Sequence, residues 1–316
     1  MRPAVTAPAL RDSRTSATAS ACGTFGELLQ GVLPGSGRDF LVTLPINRRS
    51  TATVTVDPEA TSFEVFPEDR KKSQRIAEDL LARMGLPASG SLRLHSELPV
   101  GKGFASSSAD LVATVRALGR ALALDMSEET IASLLREVEP TDGVMYPGVV
   151  AFYHREVRLR EVLGPLPPTT IVAVDEGGEV DTIEFNKLAK PFSDRDRGRY
   201  AELLDTIGAA VQAGDLATVG RVATESAYLN QQLRPKRTLD RMSAICDAVG
   251  GLGVAVAHSG TAVGILLADD DPAYLDKVTE ALGACRALTP DVTVYHTEPA
   301  DGDWPSRTEA LSRVFS

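Results

Sequence analysis

The stretch LPVGKGFASSSAD, residues 98–110, constrains this chain more than any other. Two glycines, Gly101 and Gly103, precede a run of small residues that opens directly into an amphipathic helix. The stripe Leu111, Val115, Leu118 and Leu122 predicts that helix over 107–124. A helix start leaves N–H groups without intrahelical partners and carries the positive end of the dipole, so it attracts phosphate. Small side chains let the backbone itself approach the phosphate oxygens. The hydroxyls of Ser106, Ser107 and Ser108 add donors and a candidate Mg²⁺ ligand, and Lys102 is a point charge within reach. A glycine-rich strand–helix turn with a serine N-cap would read the same way, and the segment matches neither GxxxxGK[ST] nor GxGxxG.

The surrounding pattern is that of an α+β protein. Residues 40–44, 51–56, 62–66 and 91–95 read as short strands. A helix over 73–84 is stopped by Gly85, and Asp125 or Ser127 caps another that ends near Glu137. The segment GPLPP at 164–168 marks a break. Beyond it come a strand at 170–175, helices at 195–213, 216–229 and 239–249, strands at 253–257 and 262–267, a helix at 273–282 and a strand at 292–296. With the helices counted as one layer, the order is βαββαβ, a ferredoxin-like split. The expected organisation is a disordered tail over 1–20, a mixed α/β domain over 21–165 and a ferredoxin-like domain over 166–316.

A net charge of -10 without any Lys/Arg block excludes a nucleic-acid polymer as partner. The first twenty residues lack the apolar core of a secretion signal, and no apolar run approaches the ~20 residues a bilayer demands. A cytoplasmic protein with no membrane partner is expected. Three scattered cysteines read as reduced thiols, and four histidines form no metal-ligand spacing.

Residues 98–110 resemble the central phosphate-binding motif of the GHMP kinases, Pro-x-x-x-Gly-Leu-Gly-Ser-Ser-Ala-Ala. Pro99, Gly103, Ser106, Ser107 and Ala109 match, while Phe104 and Ala105 replace the usual Leu and Gly. Two further segments resemble family motifs in the expected order. ACGTFGELLQG, 21–31, is similar to the first motif beside the acceptor site, and GLGVAVAHSGTAVGILL, 251–267, to the glycine-rich third. The bland alternatives are a glycine-flanked turn and a hairpin with a Ser-Gly turn.

The resemblance implies a two-domain GHMP kinase fold that uses ATP and Mg²⁺ to phosphorylate a small hydroxylated acceptor. It implies phosphate binding by Pro99 and by Gly101 through Ser108, with Ser107 on the metal. It further implies an acidic residue beside the metal and an aspartate at the acceptor hydroxyl. Glu139 and Asp142 match these in order, with Glu137 an open alternative for the metal side. Glu27, Gln30, Ser259, Gly260 and Thr261 are the residues expected at the acceptor. GTFGELLQG, LPINRRS and EPTDGVMYPG together look like the L-threonine kinase branch linked to cobalamin synthesis and propanediol utilisation. A kinase for another small alcohol, an ATP-using decarboxylase and an inert ATP-binding sensor stay open. So does a homodimer.

Overall fold

Small and β-branched residues alternate through two very long strands, β1 (Thr15–Val32) and β2 (Asp39–Val56), which pair antiparallel. The computed structural model describes residues 13–178 and 190–298. Thr15–Val32 includes positions 15–20, read above as tail. Their Ala/Ser/Thr composition suits a tail, but Ser16 and Thr18 meet the hydroxyls of Thr55 and Thr53 at 3.0 and 2.9 Å across the ladder. The GTFGEL segment is a bulged stretch of β1, with register shifts between Cys22 and Leu29. Gly26 permits the bulge at φ 50, where an added Cβ would lie 2.3 Å from the Val256 carbonyl oxygen.

The two strands expected at 40–44 and 51–56 are one. Pro45 stands opposite Thr24, where the register of β1 is already broken, so its missing N–H costs the ladder little. β3 (Phe63–Phe66) and β4 (Gly90–Ser96) extend one edge of the sheet. The β5–β6 hairpin (Val149–Tyr153, Arg158–Gly164), not anticipated from sequence, pairs with β2 through β5. α1 (Lys71–Arg83), α2 (Ser106–Ala121) and α3 (Glu128–Arg136) complete the N-terminal half. Ser127 caps α3 by accepting from Thr130 N.

The C-terminal half runs β7 (Thr169–Asp175), α4 (Asp194–Ala213), α5 (Leu216–Leu229), α6 (Leu239–Ala248), β8 (Gly253–Val256), β9 (Ala262–Ala268), α7 (Tyr274–Leu288) and β10 (Val292–His296). Its antiparallel order, β10-β7-β9-β8, is the ferredoxin-like βαββαβ arrangement. Strand alternation divides its burial. Ile171 and Ala173 join the core that surrounds α2, while Val172 and Val174 join a second core with residues of α6 and α7. The two halves share one sheet, joined where Glu27 of β1 pairs with Val256 of β8. Among the described residues no helix is long and apolar enough to cross a membrane.

Candidate active site

α2 starts at Ser106 from Ala105, whose left-handed backbone (φ 55, ψ 29) falls where the family pattern has glycine. The loop before it is stapled to both halves. Gly26 N donates to Gly103 O at 3.0 Å, Thr24 N to Phe104 O at 3.2 Å, and Thr261 N to Lys102 O at 3.3 Å. Phe104 packs beneath, its ring 5.4 Å from Phe25 and 5.0 Å from Tyr295. The three glycine-containing segments therefore meet at one helix N-terminus.

A cleft of about 350 Å³ opens there. It is lined by Gly101, Gly103 and Phe104–Ser108, by the 139–142 connection, by Glu27 and Gln30 of β1, and by Lys72, His154 and Ser259. The serines diverge around the first turn. Ser107 donates to Glu139 Oε1 at 2.5 Å, while Ser108 turns the other way. Thr141 Oγ1 (2.6 Å) and Asp142 N (3.2 Å) donate to Ser108 Oγ, which in turn donates to Asp142 Oδ2 at 3.5 Å. Ser108, grouped with the phosphate donors in the sequence reading, thus orients Asp142. Glu139 also takes Lys72 Nζ at 2.5 Å, whereas Glu137 pairs with Arg83 on the surface. Of the two candidate acids, Glu139 is the one in the cleft. Together with Ser107 it offers a pair of hard oxygens suited to a divalent cation.

Withdrawal from water pushes the Asp142 carboxyl up to about 7. The negative charges of Glu27 and Glu139 add to the rise, and the Ser108 hydrogen bond opposes it. Glu27 is buried and held by its neighbour across the seam. His258 donates its backbone N–H to Glu27 Oε2 at 3.2 Å, and His258 Nδ1 lies 2.7 Å from the same oxygen. His258 Nε2 lies 3.2 Å from Ser226 Oγ, which accepts from Gln30 N. Gly260 O accepts from buried Lys236 (2.6 Å) and from Arg234 Nε (3.0 Å). Burial, aided by Arg234, draws the Lys236 ammonium down to about 8.

Lys102 departs from the expectation. Its ammonium lies 2.7 Å from Asp175 Oδ2 and 2.6 Å from Gly178 O, and it does not line the cleft. Asp175 at the end of β7 is simply a nearer anion. Pro99, Gly260 and Thr261 also stand outside the lining, and the latter two reach the loop through backbone contacts. Lys72, His154 and His258 were not legible as site residues. Lys72 lies in an unremarkable basic helix start, and the two histidines sit in apolar strands or loops whose partners are remote in sequence.

Loop, cleft and acids together offer what a phosphate group and a divalent cation would need: free helix N-terminal amides with hydroxyl and carboxylate oxygens beside them. Residues 72–154 match the family model described as GHMP kinases N terminal domain. The chain is 29% identical over 265 residues to the L-threonine kinase of Salmonella typhimurium, covering 79% of this chain and 83% of that protein. It is likewise 29% identical over 257 residues to the L-threonine kinase of Citrobacter freundii, covering 79% and 86%. L. major mevalonate kinase, solved with R-mevalonate, shares the fold at a TM-score of 0.68 and 18% identity, over 92% of this chain and 98% of that one. Residues 72–154 thus match the GHMP kinase N-terminal domain, and the chain, which resembles the L-threonine kinases, is a phosphotransferase acting on a hydroxyl group.

Proposed function

We propose that the chain transfers the γ-phosphoryl group of ATP to the side-chain hydroxyl of L-threonine, forming O-phospho-L-threonine and ADP. The observation that carries this reading is the convergence of Ser107–Glu139 and Asp142–Ser108 on the N-terminus of α2. The amides of that first turn would hold the transferring phosphates. Mg²⁺ fits the Ser107–Glu139 oxygens, since it takes one or two protein oxygens and completes its shell with phosphate and water. Bound there, it would neutralise phosphate charge. Asp142 would align the acceptor hydroxyl and take its proton as the new O–P bond forms and the bond to the ADP oxygen breaks. A carboxyl poised near 7 is matched to that task at neutral pH. Glu27 and Gln30 would contact the acceptor.

The 29% identity to two L-threonine kinases supports threonine as the acceptor. A diphosphate-bearing substrate, as a decarboxylase of this fold would take, calls for a basic cluster. Arg48 faces Glu97 and Arg49 is committed to Glu298, and neither lines the cleft. The test is ADP release with Mg·ATP across threonine, serine, homoserine and other small alcohols. Turnover with threonine upholds the reading, and turnover only with another alcohol replaces the acceptor. ATP binding without ADP release on the whole panel would sink the kinase and favour a sensor.

Glu137 and Glu139 should separate cleanly in the same assay. Glu139→Gln is expected to weaken the Mg²⁺ dependence of turnover by about 10–100-fold. Glu137→Gln should leave turnover within about twofold and cost under about 1 kcal/mol of stability, as exposed pairs do. Equal losses in the two variants would remove Glu139 from the metal side.

A further inference from the structure

His154 follows the last residue of β5 and is 4% exposed. Among the described residues neither of its ring nitrogens has a hydrogen-bond partner. Its backbone is fixed, because Thr141 N donates to His154 O at 3.2 Å, tying it to the loop that carries Asp142. Across the same cleft Gln30, 7% exposed, leaves its side-chain oxygen buried and unpartnered. The Gln30 backbone is clamped on both sides, by Ser226 Oγ at 3.2 Å and by Asn230 Nδ2 donating to Gln30 O at 2.9 Å. Buried polar atoms are almost always satisfied, and each exception calls for an explanation. Two in one cleft, both on anchored backbones, point to a ligand that supplies the missing partners.

The chemistry of the two groups differs. Gln30 Oε1 can only accept. Burial, with Lys190 and Arg155 nearby, holds the His154 imidazole down to about 3, so it is neutral and keeps one N–H to donate. Lys190 and Arg155 both face Asp39, at 3.8 and 3.2 Å. The positive charge of Lys190 and Arg155 is felt at the His154 ring. Gln30 shares β1 with Glu27, whose negative charge reaches the cleft as far as Asp142. An acceptor that is cationic toward Glu27 and Gln30 and anionic toward His154 would complete this set.

We infer that His154 is an acceptor-specificity residue whose ring N–H binds the carboxylate of an α-amino acid, while Gln30 Oε1 binds its ammonium. The inference rests on the kinase reading and adds the substrate class: a zwitterionic hydroxy amino acid rather than a plain alcohol. It also explains why a histidine without partners is kept in an apolar strand end. Replacing it with an apolar residue of similar size removes an unsatisfied group, so the fold should not suffer.

The experiment compares L-threonine with L-threoninamide, which lacks the carboxylate charge, on wild type, His154→Leu and His154→Gln. For wild type, kcat/KM should be about 10- to 100-fold lower with the amide, the scale of a hydrogen bond to a charged group. His154→Leu should lose a similar factor with threonine, through the KM of the acceptor. It should lose little with the amide, and its KM for ATP and its Tm should hold. His154→Gln, which retains an N–H donor, should recover part of the loss with threonine. Equal losses of His154→Leu on both acceptors, or a risen KM for ATP, would mean a merely structural role and overturn the inference while the kinase stands. So would turnover by wild type of alcohols without an amino-acid head group in preference to threonine. Absence of turnover with every acceptor overturns the kinase instead. Titration calorimetry of L-threonine then decides the inference: heat in wild type that is lost in His154→Leu upholds it, and no heat in wild type ends it.

Discussion

Asp142→Asn is expected to lower kcat by about 10²–10⁴-fold while making the protein more stable at pH 8. The rate loss is the ordinary worth of a positioned carboxylate base. Asparagine keeps the shape and can still be met by Ser108, so ATP affinity should change little. The stability gain follows from the same burial that poises the base. A carboxyl raised from 3.8 to about 7 in the folded state binds a proton more tightly there than in the unfolded chain. Below about pH 4 both states are protonated and the shift has no effect. As pH rises from about 4 to about 7 the unfolded chain loses its proton first, and the wild type loses stability through that window. Above it the deficit is constant. At 1.36 kcal/mol per tenfold the ceiling is about 4 kcal/mol, and solvent in the open cleft should reduce it to roughly 1–3. The Tm advantage of Asp142→Asn should therefore be clear at pH 8 and small at pH 4.5. In wild type, kcat/KM should rise with pH through about 7. A variant that keeps activity within tenfold, or melts below wild type at pH 8, would remove Asp142 as the buried base.

What the sequence made legible is what depends on local pattern. The phosphate-attracting loop and α2 rest on glycines, small residues and a helical stripe within one short segment. The βαββαβ order of the C-terminal half is written in periodicity alone. What it hid depends on pairing at long range. The start of β1 has the composition of a tail and becomes a strand only because β2 supplies partners some forty positions later. The bulge at Gly26 is set by the approach of Val256, and two strands became one because Pro45 fell where the ladder was already broken. Within the site, the spacing of Glu137, Glu139 and Asp142 left the metal-side acid undecided. What separates them is tertiary, Arg83 beside Glu137 and Ser107 with Lys72 beside Glu139, and it is on those partners that Glu139 is proposed for the metal. Lys102 shows the same limit: the sequence places it in the loop but not beside Asp175, its partner 73 positions later. His154 carries no local signal at all, since a lone histidine after an apolar strand is most often a core residue.

Gly260→Ala should be as costly to the fold as Asp142→Asn is to the rate. A Cβ at Gly260 would sit 1.9 Å from Lys102 O and 2.6 Å from Gly103 N, both backbone atoms that no rotamer change can move. The fit is reciprocal, since a Cβ on Gly103 would lie 2.5 Å from that of Ala257. The third glycine segment and the phosphate loop are therefore packed backbone against backbone, and separating them displaces Gly260 O. That oxygen is the acceptor for Lys236, which is 5% exposed and would be left as a buried ammonium without its partner. Overpacking and an orphaned charge are each among the few mechanisms that exceed the usual cost of a point mutation. A loss of about 3–5 kcal/mol in urea unfolding is expected, with KM for ATP raised at least about tenfold in whatever protein remains folded. Gly35→Ala is the control. Its Cβ would meet nothing within 4 Å, so only its positive φ of 67 is penalised, at roughly 1–2 kcal/mol, with no change in ATP binding. If Gly260→Ala cost no more than Gly35→Ala, the two loops would not be interlocked, and the phosphate loop would owe its shape to α2 and β1 alone.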